Sequence, residues 1–146
     1  MKNSYLDYKV FAVSDVGEIN EMITGENQKR ILIVVLTENN PEMNAFLEKI
    51  LSAIKIQLQT DCLILRGDNA TDFPSFSNIL RTFPIEKTIV FGFKPADLGL
   101  SFETPQYFIT EIKEFKFLFV DALSVIFNTI DRKKALWDCL QILFTQ

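Results

Sequence analysis

The fold is decided by one stretch of sequence, Arg30-Ile31-Leu32-Ile33-Val34-Val35-Leu36. It is apolar at consecutive positions, so both faces of the strand it predicts must be covered, as in a central parallel strand between two helical layers. Asn40 and Pro41 follow and predict a helix N-cap and first helical position. From Met43 to Leu58 apolar residues then recur at three- and four-residue steps, which is typical of an amphipathic helix.

Working outward, the same alternation of strand and helix continues to the end of the chain. Further strands are predicted at Cys62–Leu65, Thr88–Phe91 and Phe115–Val120, with a short edge strand at 107–109. Helical patterns cover 74–83, a short helix capped by Asp121 and a final helix capped by Asp131. These elements predict a single three-layer α/β/α domain over residues 30–146 with a mainly parallel sheet. Residues 1–29 form an extension ahead of it.

Composition excludes several classes of function. The chain contains no His, which removes His-dependent nucleophilic catalysis and His-ligated metal sites. A net charge of −4 and a pI near 4.9 do not favour direct nucleic-acid binding. The longest apolar runs have strand length, not bilayer-spanning length. We expect a cytoplasmic protein without membrane association, metal or organic cofactor.

The cysteines and glycines carry no recognisable chemistry. Cys62 lies in an apolar run and Cys139 on a helix, so both are expected to be reduced, buried thiols. The five glycines are too scattered for a nucleotide-binding loop.

Polar residues follow the predicted strands, at the edge of the sheet where open α/β folds have their crevice. They are Glu38, Asn39, Gly92, Lys94 and Asp121. Carboxylates and a lysine in such a crevice can form an acid–base set. The alternative is that Asp121, like Asn40, only caps a helix. Either way, the crevice is the predicted site within the folded domain.

Aromatic residues are numerous and some precede the regular core. The chain has 14 Phe, and the extension carries Tyr5, Tyr8 and Phe11. Large aromatic side chains on a segment without clear periodicity have to pack on something. They are candidate anchors for a protein partner, or they belong to an added strand at the edge of this domain's own sheet.

Two segments resemble the uracil-DNA glycosylase fold. Thr88-Ile89-Val90-Phe91-Gly92-Phe93-Lys94-Pro95-Ala96 is similar to its strand followed by Gly-x-x-Ala, and Phe119-Val120-Asp121-Ala122-Leu123-Ser124 occupies the place of its His-Pro-Ser-Pro-Leu-Ser loop. The catalytic residues do not carry over, because Asp121 stands in place of the His. Likewise Thr37-Glu38-Asn39-Asn40-Pro41 stands in place of the Gly-Gln-Asp-Pro-Tyr loop.

The C-terminal part resembles the psi subunit family of bacterial DNA polymerase III, the non-catalytic relatives of that fold. The resemblance lies in the short helix Leu123–Phe127 followed by a Lys-x-x-Leu-Trp turn at Lys133-Lys134-Ala135-Leu136-Trp137. It implies a core strand order of 2-1-3-4, which short crossovers also favour. It further implies a clamp-loader accessory whose folded domain binds the chi subunit and whose N-terminal segment, here 1–29, engages the clamp loader. The alternatives are an enzyme of altered chemistry at the crevice and a small-ligand-binding module.

Overall fold

A six-stranded sheet forms the centre of the structure, a computed structural model that describes residues 23–38, 41–67 and 75–145. The strands lie in the order β1-β3-β2-β4-β6-β5. Their bounds are β1 Ile23–Thr24, β2 Ile31–Leu36, β3 Cys62–Gly67, β4 Lys87–Phe91, β5 Ile109–Ile112 and β6 Phe115–Val120. The helices are α1 Pro41–Ala53, α2 Leu58–Asp61, α3 Phe76–Thr82, α4 Leu123–Phe127 and α5 Ile130–Thr145, with a 3₁₀ turn at Pro95–Leu98. The predicted α/β class is confirmed.

The sheet is mixed. β2 pairs in parallel with β3 on one side and β4 on the other, and β4 pairs in parallel with β6. The register places Ile33 beside Ile64 and Ile89. The two outer strands, β1 and β5, run antiparallel to β3 and β6. The sequence predicts a mainly parallel sheet, and the antiparallel direction of the two outer strands was not predicted.

Helices cover both faces of the sheet, which explains why β2 is apolar at every position. Ile31, Ile33 and Val35 face α1, α4 and α5 in one core cluster. Leu32 and Val34 face α3 and the 3₁₀ turn in the other. Burial on two sides leaves each of these five side chains at most 4% exposed.

Helix α1 is shorter than its apolar pattern. The three- and four-residue spacing extends to Leu58, but the helix ends at Ala53. Lys55 adopts a left-handed conformation with φ of 64°, and the amide of Ile56 donates to the carbonyl oxygen of Leu51. This closes the helix as a C-terminal left-handed cap does. The following residues start the separate turn of α2.

Other element boundaries also differ from the sequence prediction. The edge strand is at Ile109–Ile112, not 107–109, and a two-residue turn joins it to β6, with Lys113 at φ 56°. Asp131 lies inside the first turn of α5 and does not precede it. Lys133–Trp137, expected to be a turn, belongs to the same helix. The expected cap at Asn40 lies outside the described residues.

Candidate functional site

The residues predicted at the strand ends do not form one cluster. Lys94 and Asp121 line the same cleft, which we call the strand-end cleft. Glu38 and Gly92 have other contacts, described below. Asn39 lies outside the described residues, as do Tyr5, Tyr8 and Phe11.

Glu38 caps a helix. Its Oε2 accepts a hydrogen bond from the backbone amide of Ser124, at 3.1 Å. The residue at the N-cap of α4 is Ala122, which has no side chain able to accept this bond. The capping role expected for Asp121 therefore belongs to Glu38, a residue distant in sequence.

Asp121 joins two elements near the cleft. Its Oδ2 accepts a hydrogen bond from the hydroxyl of Tyr107, at 2.7 Å, and pairs with the guanidinium of Arg132 on α5. Burial, followed by the hydrogen bond to Asp121, raises the pKa of Tyr107 to about 12. Tyr107 therefore remains a neutral donor at physiological pH, and the Oδ2 atom of Asp121 has two donors within the fold.

Tyr107 is also held through its backbone. Its φ is 60°, its amide donates to the carbonyl oxygen of Phe119, and its carbonyl oxygen accepts from Sγ of Cys139 at 3.2 Å. Sequence analysis placed Tyr107 in an edge strand and missed this role. No local sequence pattern predicts this role, because the hydrogen-bond partners of the Tyr107 backbone lie on β6 and α5.

Gly92 is needed for close packing between strand ends. It has φ of 94°, a conformation that glycine adopts without strain. A Cβ at this position would lie 2.8 Å from Cβ of Leu36. Its amide donates to the carbonyl oxygen of Val120, at 3.1 Å. The structure thus accounts for Gly92 by packing.

The strand-end cleft has a volume of about 570 Å³. Phe93, Phe102 and Phe119 contribute aromatic surface, and the polar lining residues are Lys94, Glu103, Thr104, Gln106 and Asp121. The amide of Lys94 donates to Oδ2 of Asp97 at 2.9 Å, which orders the 3₁₀ turn at the edge of the cleft. An apolar cleft with a few polar groups is suited to binding a small, flat molecule.

A second concave surface is lined by residues of helices α1 and α5, and we call it the α1–α5 furrow. Its volume is about 530 Å³. It is lined by Glu42, Ala45, Phe46, Lys49, Ile50, Ala53, Phe127, Lys133 and Trp137. An adjoining pocket of about 180 Å³ reaches down to Ile126 and Leu136. The furrow is therefore mostly apolar and opens on the outer side of the helical layer.

Aromatic side chains at the furrow are ordered by contacts with one another and with a lysine. The rings of Phe46 and Phe127 meet edge to face with centroids 5.1 Å apart. Nζ of Lys133 lies 5.1 Å from the ring centroid of Phe127 and 5.9 Å from that of Phe46. Phe127 and Trp137 nevertheless remain 37% and 38% exposed. The spacing of apolar residues predicts that Phe46 and Ile50 belong to the buried face of the helix, so the sequence did not predict this surface.

The thiols are buried, as expected. Burial, followed by the nearby carboxylate of Asp61, raises the pKa of Cys62 to about 12. Burial also raises the pKa of Cys139. Both are free cysteines, and the thiol form of each is unreactive as a nucleophile.

Neither a cluster of metal ligands nor a helix able to cross a bilayer is found among the described residues. Within residues 23–38, 41–67 and 75–145, no three Cys, Asp or Glu side chains are grouped so that they could hold a metal ion. Over the same ranges, every helix is too short or too polar to cross a bilayer.

No protein-family model matches the sequence, and no curated protein matches it at a significant level.

Proposed function

We propose that this chain is a non-catalytic protein-interaction domain similar to the psi accessory subunit of the bacterial clamp loader. The observation that carries the proposal is the α1–α5 furrow, with Phe127 and Trp137 more than one third exposed beside an apolar pocket. Aromatic side chains that border an apolar pocket are the usual anchors of protein interfaces.

The strand order supports the resemblance to the uracil-DNA glycosylase fold. The four inner strands lie in the order β3-β2-β4-β6 with parallel pairing between neighbours, which corresponds to a core order of 2-1-3-4. Gly92 of the Gly-x-x-Ala segment follows β4, and Asp121 follows β6.

The contacts of the strand-end carboxylates support a non-catalytic role. Glu38 accepts from the amide of Ser124, and Asp121 accepts from Tyr107 and pairs with Arg132. These hydrogen bonds hold helix α4 and the segment before β5 in place, which gives both carboxylates a structural role.

Binding to purified clamp-loader subunits of the organism that encodes the chain tests the proposal. We expect the full chain to co-elute with at least one subunit in size-exclusion chromatography. Trp137→Ala should weaken the complex at least tenfold. Ile142→Ala is the matched control, since Ile142 is 52% exposed on the same helix but does not line the furrow. Failure of every subunit to bind, or equal loss in both variants, would count against the proposal.

The strand-end cleft favours a second candidate function, binding of a small ligand. Its aromatic surface and its polar lining residues suit a flat polar molecule. A related candidate is an enzyme of altered chemistry, in which Asp121 acts on the molecule bound in the same cleft. Thermal-shift screening with nucleobases and nucleosides tests ligand binding. Incubation with uracil-containing DNA tests catalysis, and base release that is lost in Asp121→Asn would overturn the non-catalytic proposal.

A further inference from the structure

The lysines of the α1–α5 furrow have no acidic residue three or four positions away on their own helices. Positions three and four residues from Lys49 hold Ala45, Phe46, Ser52 and Ala53. The same positions around Lys133 hold Thr129, Ile130, Leu136 and Trp137. Helical ion pairs form at these spacings, so neither lysine has such a pair within its own helix.

Ion pairs in the described part of the chain use other residues. They join Lys29 to Asp61, Arg30 to Glu86 and Arg132 to Asp121. In a chain of net charge −4, Lys49 and Lys133 thus create a local basic region at the furrow. Glu42, at the N-terminal end of α1, is the one acidic residue among those that line it in the described structure.

The basic and apolar character continues along the two helices. A further depression of about 220 Å³ is lined by Ala53, Ile54, Lys55, Leu140, Gln141 and Phe144. Ala53 borders both depressions. From Ala45 to Ala53 the helix rises about 12 Å, which is long enough for several residues of a bound segment. The combined surface is therefore mostly apolar, with Lys49 on the α1 side, Lys133 on the α5 side and Lys55 at its far end.

We infer that the α1–α5 furrow binds an acidic, apolar segment of a partner protein. Its apolar side chains enter between Phe46, Ile50 and Trp137, and its carboxylates pair with Lys49 and Lys133. The inference rests on the proposed function, protein interaction, and adds the chemistry of the partner. It is carried by charge complementarity, since the furrow is lined by two lysines and one glutamate and neither lysine has a carboxylate at helical pairing distance.

A second copy of this chain is a poorer occupant. In a two-fold symmetric dimer each furrow faces the same furrow of the other copy. Two of the three charged residues that line the furrow are lysines, so such an interface would bring together four lysines and two glutamates, and this excess of like charge is unfavourable. The chain's own residues 1–22 are the other possible occupant, because they combine Tyr5, Tyr8 and Phe11 with four acidic residues and two lysines.

The experiment selects peptides from a random 12-residue library on the immobilised full chain. Selected peptides are then titrated while the fluorescence of Trp137, the single tryptophan, is recorded. We expect enrichment of peptides that combine two or more Asp or Glu with Leu, Phe or Trp. Their binding should shift the Trp137 emission. K49E/K133E should weaken binding at least tenfold.

The matched control is K113E/K134E, which changes the net charge equally at two exposed lysines that do not line the furrow. It should bind within twofold of the wild type. Basic or uncharged consensus peptides, absence of enrichment over the bare support, or equal loss in both double variants would overturn the inference.

Two further measurements address the other occupants. A tenfold gain in peptide affinity in Y5A/Y8A/F11A would show that the chain's own N-terminal segment covers the furrow. Dimerisation that is lost in Trp137→Ala would show a second copy there. Either result would overturn the inference.

These experiments distinguish failure of the furrow inference from failure of the proposed function. If K49E/K133E still binds the clamp-loader subunits while no acidic peptide preference is found, the inference fails and the proposed function stands. If acidic peptides bind but no clamp-loader subunit does, the furrow chemistry stands and the psi-like function fails.

Discussion

Oε2 of Glu38 accepts a hydrogen bond from the backbone amide of Ser124, 86 residues later in the chain. The bond ties the end of β2 to the first turn of α4. After β6, the carboxylate of Asp121 makes a separate set of contacts and holds Tyr107 and Arg132. The strand ends are therefore linked by side chains whose contacts stabilise the fold, and this relationship defines the first prediction.

Glu38→Ala should lower the free energy of unfolding by about 0.5–2 kcal/mol, the usual cost of losing a helix cap. Glu38→Gln keeps an oxygen acceptor and should lose less. Urea denaturation followed by circular dichroism measures both. Glu48→Ala, at an exposed position on α1, is the control and should change stability little. Equal stability of Glu38→Ala and the wild type would show that the cap contributes nothing.

Tyr107→Phe removes the hydrogen bond to Asp121 and should cost about 0.5–1.5 kcal/mol. The variant should also change the pH dependence of unfolding. Because the pKa of Tyr107 is raised from 10.0 to about 12 in the folded protein, its contribution to stability is complete below pH 10 and is lost as pH rises through 12.

Urea unfolding between pH 9 and pH 12 measures this effect. The pKa of Cys62 is also raised, from 9.0 to about 12, so its ionisation reduces stability as pH rises over the same range. This effect is the same in wild type and Tyr107→Phe. The difference between wild type and Tyr107→Phe therefore isolates the tyrosine. Parallel stability curves for the two proteins above pH 10 would contradict the prediction.

Gly92→Ala should destabilise the domain more than Gly99→Ala. Both glycines have positive φ, 94° and 76°, so alanine is strained at either position. Only at Gly92 does the added Cβ also meet another residue, Leu36, at 2.8 Å, whereas around Gly99 nothing lies within 4 Å. Thermal unfolding of the two variants provides the comparison. If Gly92→Ala lowers the unfolding temperature no more than Gly99→Ala does, the ends of β2 and β4 can move apart at little cost.

Leu47→Ala should cost about 2–5 kcal/mol, as expected for a leucine fully buried in a core. Ile50→Ala should cost less, because Ile50 is partly exposed and lines the furrow. Denaturant unfolding of both variants tests this division of α1 into a core side and a furrow side. Similar losses would indicate that the furrow residue is packed as firmly as the core.

By itself, the sequence determined the elements that depend on local pattern. The run Ile31–Leu36 was predicted with the bounds it has in the structure, because two-sided burial demands uninterrupted apolar residues. The strand Phe115–Val120 was also predicted with its observed bounds. The absence of His limits the chemistry before any coordinates are considered.

Only the tertiary structure decided which side chains meet and which remain open. Periodicity assigned Leu47 and Ile50 to one apolar stripe, yet Leu47 is fully buried in the core beside the sheet and Ile50 lines the furrow. Likewise Glu38 and Asp121 looked equivalent as polar residues after strands, and their partners became evident only when β2, α4 and α5 were placed together. The physical reason is that local sequence sets the backbone conformation and the amphipathic faces, whereas burial and pairing depend on residues that are distant in the chain.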